Sequence, residues 1–139
     1  MKAIIAGAAW LLAIGALWAE SPRLVTLGGP ATEIVYALGA GGQVVATDSS
    51  SGFPAEVGRL PQVGYVSSIS AEGVISQRPD LVLATSRVGP TSAIEQLRAA
   101  GVEVVIVPNP GDTDSLRQSI ETLGQALGRE SEAVRLWEQ

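Results

Sequence analysis

The sequence predicts an α/β protein in which a parallel β-sheet carries helices on both faces. Two observations lead to this prediction. Runs of four or five β-branched and apolar residues alternate with stretches in which apolar side chains have helical spacing. Two of these runs are apolar at every position, as expected of strands that are buried on both faces. Strands that alternate with helices form βαβ units, and a series of such units folds into a parallel sheet.

The first half of the chain supplies two strands and two helices. RLVTL at 23–27 is the first predicted strand, and VVAT at 44–47 is the second. Between them Pro30 fits the start of a helix, where its missing N–H costs nothing, and Gly39 ends that helix. Ser70 is the predicted N-cap of a short second helix. The remaining predictions in this half are helices over 31–38 and 70–76, a loop rich in Ser, Gly and Pro over 48–61, and a short extended piece over 63–65.

The second half continues the alternation with two strands and three helices. LVLA at 81–84 is continuously apolar and is predicted as a buried strand, and VVIV at 104–107 is predicted as the next strand. Asp112 or Thr113 can cap a long helix that runs to Leu127. The predicted helices are 91–100, 113–127 and a last one that begins at 129. The apolar side chains of the long helix, at helical spacing, are Leu116, Ile120, Leu123 and Leu127.

The first nineteen residues predict a secretory signal peptide. Met1-Lys2 is a minimal positive start, residues 3–17 are uninterruptedly apolar, and Ala19 is a small residue that suits signal peptidase. The apolar run is shorter than a bilayer-spanning helix normally needs, and an uncleaved anchor is the alternative. Acylation as a lipoprotein is excluded because the chain has no cysteine. We therefore expect an exported protein.

Composition excludes most catalytic and metal-binding chemistry. The chain has nine basic and fourteen acidic residues, a formal net charge of −5, and neither His nor Cys. The usual zinc and copper sites, the Ser-His-Asp triad and thiol catalysis are thereby excluded. An acidic chain whose only lysine is Lys2 is a poor nucleic-acid binder, because phosphate neutralisation supplies most of that affinity. The glycines at Gly28-Gly29 lack the spacing of a nucleotide-binding loop.

Ligands of open parallel sheets bind outside the carboxyl ends of the strands. These ends, and hence the predicted ligand-binding edge, are residues 28–29, 48–51, 85–90 and 109–112.

Four segments resemble the periplasmic haem-binding proteins of bacterial haem ABC importers. They are RLVTLGGPATEIVYALG at 23–39, PQVGY at 61–65, SAEGVIS at 70–76 and RPDLVLA at 78–84. The TEI-x-YALG and PDLV parts are shared with the wider siderophore- and cobalamin-binding proteins, whereas GY followed by SAEG is the more specific haem signal. The resemblance extends from about residue 22 to the end of the chain.

The resemblance implies two α/β lobes joined by one long helix, with ferric haem held between them. Residues 20–128 then form the N-terminal Rossmann-like ligand-binding lobe, and 129–139 begin the interlobe helix of a chain that is cut short before its second lobe. The last helix is expected to be exposed, because no later segment covers its apolar side chains, Ala133, Val134, Leu136 and Trp137.

The implied activity is transport. The protein would capture ferric haem in the periplasm, downstream of an outer-membrane haem uptake system, and deliver it to an inner-membrane ABC permease. Haem is then the cargo, and no catalytic cofactor is implied.

Tyr65 is the predicted ligand of the haem iron. In the resembling proteins a tyrosine at this position binds ferric haem through its phenolate oxygen. Axial haem ligands are His, Cys, Met or Tyr, and residues 20–139 retain only Tyr36 and Tyr65 from this set. Tyr36 lies in an apolar helical run and is predicted to pack against the core, whereas Tyr65 follows Gly64 in a polar loop. The alternative role of Tyr65 is packing over the edge of the lobe.

Two charged residues complete the predicted site. By resemblance, Glu72 docks on an arginine pocket of the permease; its alternative role is local, at the first turn of a helix, where the macrodipole stabilises a carboxylate. Arg87 lies at the predicted ligand-binding edge and can pair with a haem propionate through a charge-assisted hydrogen bond. The alternative for Arg87 is an ordinary solvated side chain.

Other functions remain open at this point. Within the same class, the cargo can be cobalamin or a ferric siderophore, which need no tyrosine ligand. Relatives that bind manganese or zinc are disfavoured because no histidine is present. A small exported α/β enzyme is a second class, although Ser49, Ser50 and Ser51 have no histidine or lysine base to activate them. An interaction module without a small ligand is a third.

Overall fold

A computed structural model describes residues 20–139; the predicted signal peptide lies outside the described residues. The main sheet has four parallel strands in the order β2-β1-β5-β6. A separate antiparallel hairpin is made of β3 and β4. The strands are β1 (Leu24–Leu27), β2 (Val44–Thr47), β3 (Gly64–Tyr65), β4 (Ser68–Ile69), β5 (Leu81–Thr85) and β6 (Glu103–Val107). The predicted α/β class with a parallel sheet is confirmed.

Helices cover both faces of the sheet. The helices are α1 (Gly29–Ala37), α2 (Ala71–Ser76), α3 (Thr91–Ala99), α4 (Thr113–Ala126) and α5 (Glu130–Trp137). One core cluster joins α1, α4 and α5 to one face of the sheet, and a second joins α2 and α3 to the other face. None of the helices within residues 20–139 combines the length and apolarity that crossing a membrane requires.

The strands divide their side chains between the two faces by simple alternation. In β1, Leu24 faces the cluster that contains α1, whereas Val25 and Leu27 face the cluster that contains α2. In β5, Leu83 faces the cluster that contains α1, and Val82 faces the cluster that contains α2. All five of these side chains are fully buried, which explains why β1 and β5 carry apolar residues on both faces of the sheet.

The last helix packs on the lobe itself and is less exposed than the sequence suggests. Ala133 is buried, and Leu136 and Trp137 pack half-buried on the core cluster that contains α4. The close approach depends on Gly124 of α4, since a Cβ there would lie 2.6 Å from the Cβ of Ala133. Val134 remains 56% exposed, as expected.

The region between β2 and α2 contains more structure than the predicted loop. Residues Ala55–Arg59 form a 3-10 turn, as do Gly41–Gln43 just before β2. The extended piece predicted over 63–65 is the first strand of the β3–β4 hairpin. In α4, the predicted N-cap Asp112 forms a capping box with Ser115, but Leu116 of the predicted apolar stripe is 37% exposed.

Candidate functional site

A pocket of about 210 Å³ lies at the carboxyl ends of the parallel strands. Every strand end of the main sheet borders it: the segment after β1, the loop after β2, the end of β5 and the loop after β6. The hairpin forms one further wall. The lining residues are Gly28, Gly29, Pro30, Ser50, Tyr65, Val66, Thr85, Arg87 and Asn109. The structure therefore has a pocket at the edge of the sheet where the sequence predicts ligand binding.

The strand order explains why the hollow forms here. From β1 the chain goes to β2 on one side and later returns to β5 on the other side. The connections after β1 and β5 consequently leave on opposite faces of the sheet, with α1 on one face and α3 on the other. Such a switch point opens a crevice in which α/β proteins bind ligands.

Gly28 allows the two central strand ends to meet. Its φ of +99° is a conformation that side chains rarely adopt, and a Cβ would lie 2.6 Å from Oγ1 of Thr85. The Oγ1 atom of Thr85 is buried and has no hydrogen-bond partner among the described residues. Both residues line the pocket. The floor of the crevice thus consists of the buried main chain of Gly28 next to an unpaired hydroxyl.

Asp48, which the sequence places in a loop, is fully buried directly beside this floor. Its carboxylate accepts hydrogen bonds from the N–H of Gly28 at 2.8 Å, from the N–H of Ser50 at 2.9 Å and from Oγ of Ser51 at 2.7 Å. Oγ of Ser50 donates a further one. These bonds fasten the end of β2 to the end of β1 and fix the shape of the pocket wall.

The hairpin holds Tyr65 at the rim of the pocket. The N–H of Ser49 donates to the carbonyl oxygen of Gly64 at 2.8 Å, and the N–H of Gly89 donates to that of Val66 at 2.9 Å. Tyr65 is therefore flanked by two anchored residues, although its own side chain is 48% exposed. A rigid backbone with a free phenol suits a residue that must reach a ligand.

Tyr36 is unsuited to that role. It lies half-buried against the core cluster of α1, as the sequence predicts, and its ring covers Gly41. Burial and, to a lesser degree, the negative charge of Glu56 raise the pKa of the Tyr36 phenol above its ordinary value. The phenolate that a ferric ion needs is thus disfavoured at this position.

The structure brings two of the three predicted site residues together. Tyr65 and Arg87 line the same pocket, and Arg87 is its one charged lining residue. Glu72 does not line this pocket; it lies exposed in the first turn of α2, next to the N-cap Ser70, whose Oγ accepts the N–H of Gly73 at 3.0 Å. Its position is suited to contact with another protein and equally to stabilising the helix.

The polar groups of the pocket can form hydrogen bonds with a ligand. Within residues 20–139 no three His, Cys, Asp or Glu side chains come close enough together to hold a metal ion. The pocket is lined by a phenol, a guanidinium, hydroxyls and a side-chain amide. Two larger hollows, of about 310 and 430 Å³, lie along α4 and α5, away from the strand ends.

Known proteins match both the sequence and the fold. A family profile described as periplasmic binding protein matches residues 24–139. An uncharacterized ABC transporter substrate-binding lipoprotein of Bacillus subtilis is 39% identical over 119 residues, which cover 84% of this chain and 38% of that protein. The vitamin B12-binding protein of Photorhabdus laumondii is 31% identical over 109 residues, covering 78% of this chain and 39% of that protein.

Solved structures agree with these matches. The periplasmic heme-binding protein RhuT from Roseiflexus sp. RS-1, in apo form, is 42% identical and superposes with a TM-score of 0.81 over 85% of this chain and 45% of that one. The chain thus spans less than half the length of the relatives it matches. The relatives are substrate- or ligand-binding proteins, which confirms the prediction that the chain is not an enzyme. With a profile match from β1 to the last residue, the chain belongs to the periplasmic binding protein family.

Proposed function

We propose that this chain is the N-terminal lobe of a periplasmic solute-binding protein that captures ferric haem and passes it to an inner-membrane ABC permease. The observation that carries the proposal is the placement of Tyr65: an exposed phenol on an anchored hairpin, at the rim of the strand-end pocket. Tyrosine is an established axial ligand of haem iron. The similarity to the heme-binding protein RhuT supports the same cargo.

In this proposal Tyr65 forms the bond to iron and the pocket wall holds the rest of the ligand. Ferric iron favours the phenolate form, so coordination displaces the phenolic proton into solvent. The exposed side chain needs no rearrangement of buried groups to do this, because its neighbours Gly64 and Val66 already carry the backbone anchors. Apolar contact with the porphyrin supplies the remaining affinity, since burial of apolar surface is worth about 25 cal/mol per Å².

The proposal extends to the organisation of the whole protein. Residues 20–128 form the lobe, and α5 is the start of the helix that leads to a second lobe. Glu72 serves as the permease contact: it is exposed and carries no hydrogen bond or ion pair among the described residues. An outer-membrane haem uptake system supplies the cargo upstream. The signal peptide over 1–19 brings the chain to the periplasm.

Cobalamin is the second candidate cargo, and a specific observation favours it. Several relatives, including that of Photorhabdus laumondii, are vitamin B12-binding proteins. Cobalamin binding does not require a tyrosine ligand. The two cargoes can therefore be separated by asking whether binding depends on the phenol of Tyr65.

The test is a titration of the purified protein with ferric hemin and, separately, with cyanocobalamin. We expect hemin to give the visible spectrum of tyrosinate-ligated ferric haem, and Tyr65→Phe to lose that spectrum. Tyr36→Phe is the matched control, because it removes the other tyrosine of residues 20–139 away from the pocket. An unchanged spectrum in Tyr65→Phe refutes haem ligation. Tight cyanocobalamin binding that is equal in both variants assigns the second cargo instead.

The role of Glu72 has its own test. Glu72→Gln is compared with Glu95→Gln, an exposed glutamate of α3, in a binding assay with the permease in detergent. We expect only Glu72→Gln to weaken docking. The local role predicts instead a loss of about 0.3–1 kcal/mol in unfolding free energy with no effect on docking.

A further inference from the structure

The strand-end pocket has the features of an anion-binding site. We propose that it holds an anionic group of the ligand, a carboxylate or a phosphate, at the N-terminus of α1, between Thr85 and Arg87. The inference deepens the proposed function, on which it rests for placing the ligand in this pocket. Three independent observations support it: unpaired helix donors, an unpaired buried hydroxyl and the charge of the lining.

The first observation concerns the start of α1. Its N-cap is Gly28, which has no side chain to cap the helix, and its first turn contains no acidic residue. The N–H of Gly28 donates to Asp48, and Pro30 has none. The N–H of Gly29, which lines the pocket, has no hydrogen-bond acceptor among the described residues. The N–H of Ala31 has none either, although Ala31 is buried and does not line the pocket. A helix N-terminus with free N–H groups attracts negative charge.

The second observation is the hydroxyl of Thr85. The residue is 1% exposed, yet its Oγ1 has no hydrogen-bond partner in the described chain. A buried hydroxyl without a partner costs about 1–3 kcal/mol. The atom points towards Gly28, where a Cβ would lie only 2.6 Å away, and Thr85 lines the pocket. A ligand oxygen at the start of α1 would accept this proton and remove the cost.

The third observation is the sign of the charge around the pocket. The whole chain has a net charge of −5, but Arg87 is the one charged residue that lines this hollow. Arg87 is exposed and forms no ion pair within the described chain. The nearby carboxylate of Asp48 accepts bonds from Gly28, Ser50 and Ser51, and is buried beneath the wall. The residues that line the pocket therefore present one positive charge and no negative charge.

Both candidate cargoes carry a suitable group. Haem has two propionate carboxylates at one edge of the porphyrin, and cobalamin has a phosphodiester in its nucleotide loop. The site recognises the anionic oxygens that these groups share. Each cargo has an analogue without the anion, namely hemin dimethyl ester and cobinamide, so the source of the anion can be determined by experiment.

The first arm of the experiment compares hemin with hemin dimethyl ester on the purified protein. We expect hemin to bind about tenfold more tightly, and Arg87→Gln to abolish that preference, since a charge-assisted hydrogen bond is worth about this factor. Arg59→Gln, which removes an exposed arginine outside the pocket, is the matched control and should keep the preference. Equal affinity for hemin and its ester in the wild type refutes the site for haem.

Thr85→Val separates a binding role from a structural one. The hydroxyl makes no hydrogen bond in the free protein, so its removal should leave the unfolding free energy unchanged or raise it. Affinity for hemin should fall several-fold while affinity for the dimethyl ester stays constant. A variant that is destabilised but keeps its preference for hemin overturns the assignment of Thr85.

The second arm does not depend on the identity of the cargo. Inorganic phosphate is titrated into ¹⁵N-labelled protein, and the amide signals of Gly29 and Ala31 are followed by NMR. We expect saturable shifts that Arg87→Gln weakens and Arg59→Gln does not. Absence of shifts in the wild type overturns the anion site. If phosphate shifts these signals but hemin does not bind, the haem proposal fails alone, and cobalamin against cobinamide identifies the anion.

Discussion

Gly28 is the residue at which the packing of the pocket floor can be tested most directly. Replacement by alanine adds a Cβ that would lie 2.6 Å from Oγ1 and 3.0 Å from Cγ2 of Thr85. Both distances are shorter than van der Waals contact, and overpacking of this kind costs about 1–3 kcal/mol. The backbone at φ +99° and ψ 132° adds strain for a residue with a side chain, again about 1–3 kcal/mol.

We therefore expect Gly28→Ala to lower the unfolding free energy by about 2–6 kcal/mol, out of a total of about 5–15 kcal/mol for a domain. The assay is equilibrium unfolding in urea. With a slope of about 1–3 kcal/mol per M, the midpoint should fall by about 1 M or more. Gly52→Ala is the control, because Gly52 is exposed and a Cβ there meets no atom within 4 Å.

A double variant divides the loss between its two causes. Thr85→Ala removes the two atoms that the new Cβ approaches most closely, but leaves the backbone strain. Gly28→Ala combined with Thr85→Ala should therefore recover part of the loss, with a coupling of about 0.5–3 kcal/mol. A Gly28→Ala variant whose stability lies within about 0.5 kcal/mol of the wild type would refute the reasoning.

Three further outcomes are expected. Ser70→Ala removes the N-cap of α2 and should cost about 1 kcal/mol in urea unfolding; an unchanged midpoint contradicts the capping role. Hydrogen bonds from Ser115 lower the pKa of Asp112, so the stability it contributes is present above about pH 4 and is lost as the pH falls through the lowered value. The midpoint difference between wild type and Asp112→Ala should therefore shrink at acid pH, and a constant difference excludes this linkage. The pKa of Tyr36 is raised by burial and by Glu56, so Glu56→Gln should lower the pH at which the ring ionises, as followed by NMR; no change would show that burial alone is responsible.

The main sheet could be predicted from the sequence because each of its strands has a plain local signal. The apolar runs at 81–84 and 104–107 lie within β5 and β6, and the parallel direction of the strands follows from their alternation with helices. Two helix ends could also be predicted, because Asp112 and Gly39 are residue types that helix caps require. These features depend on neighbours close in sequence.

The pairing of β3 with β4 and the contacts of the pocket floor had no such signal. Gly64 and Val66 are held by bonds to Ser49 and Gly89, which come from distant loops. From the sequence, Asp48 looks like an ordinary solvated loop residue. Its carboxylate is buried because folding brings it to the N–H of Gly28, which donates a hydrogen bond to it. A carboxylate directly after a strand and before several serines is the one local hint. The site was therefore predictable as an edge of the sheet, but not in its contacts.

The position of β1 between β2 and β5 has a consequence for the time at which the lobe can form. Leu24 pairs with Val44 on one side and with Leu81 on the other. Because β2 follows β1 closely in the chain and β5 comes much later, β1 has a partner along one edge only until the chain up to Thr85 is available to fold. Non-local parallel pairing is intrinsically slow, and an apolar strand with an open edge is prone to aggregate. The lobe thus cannot complete the centre of its sheet before β5 pairs with β1.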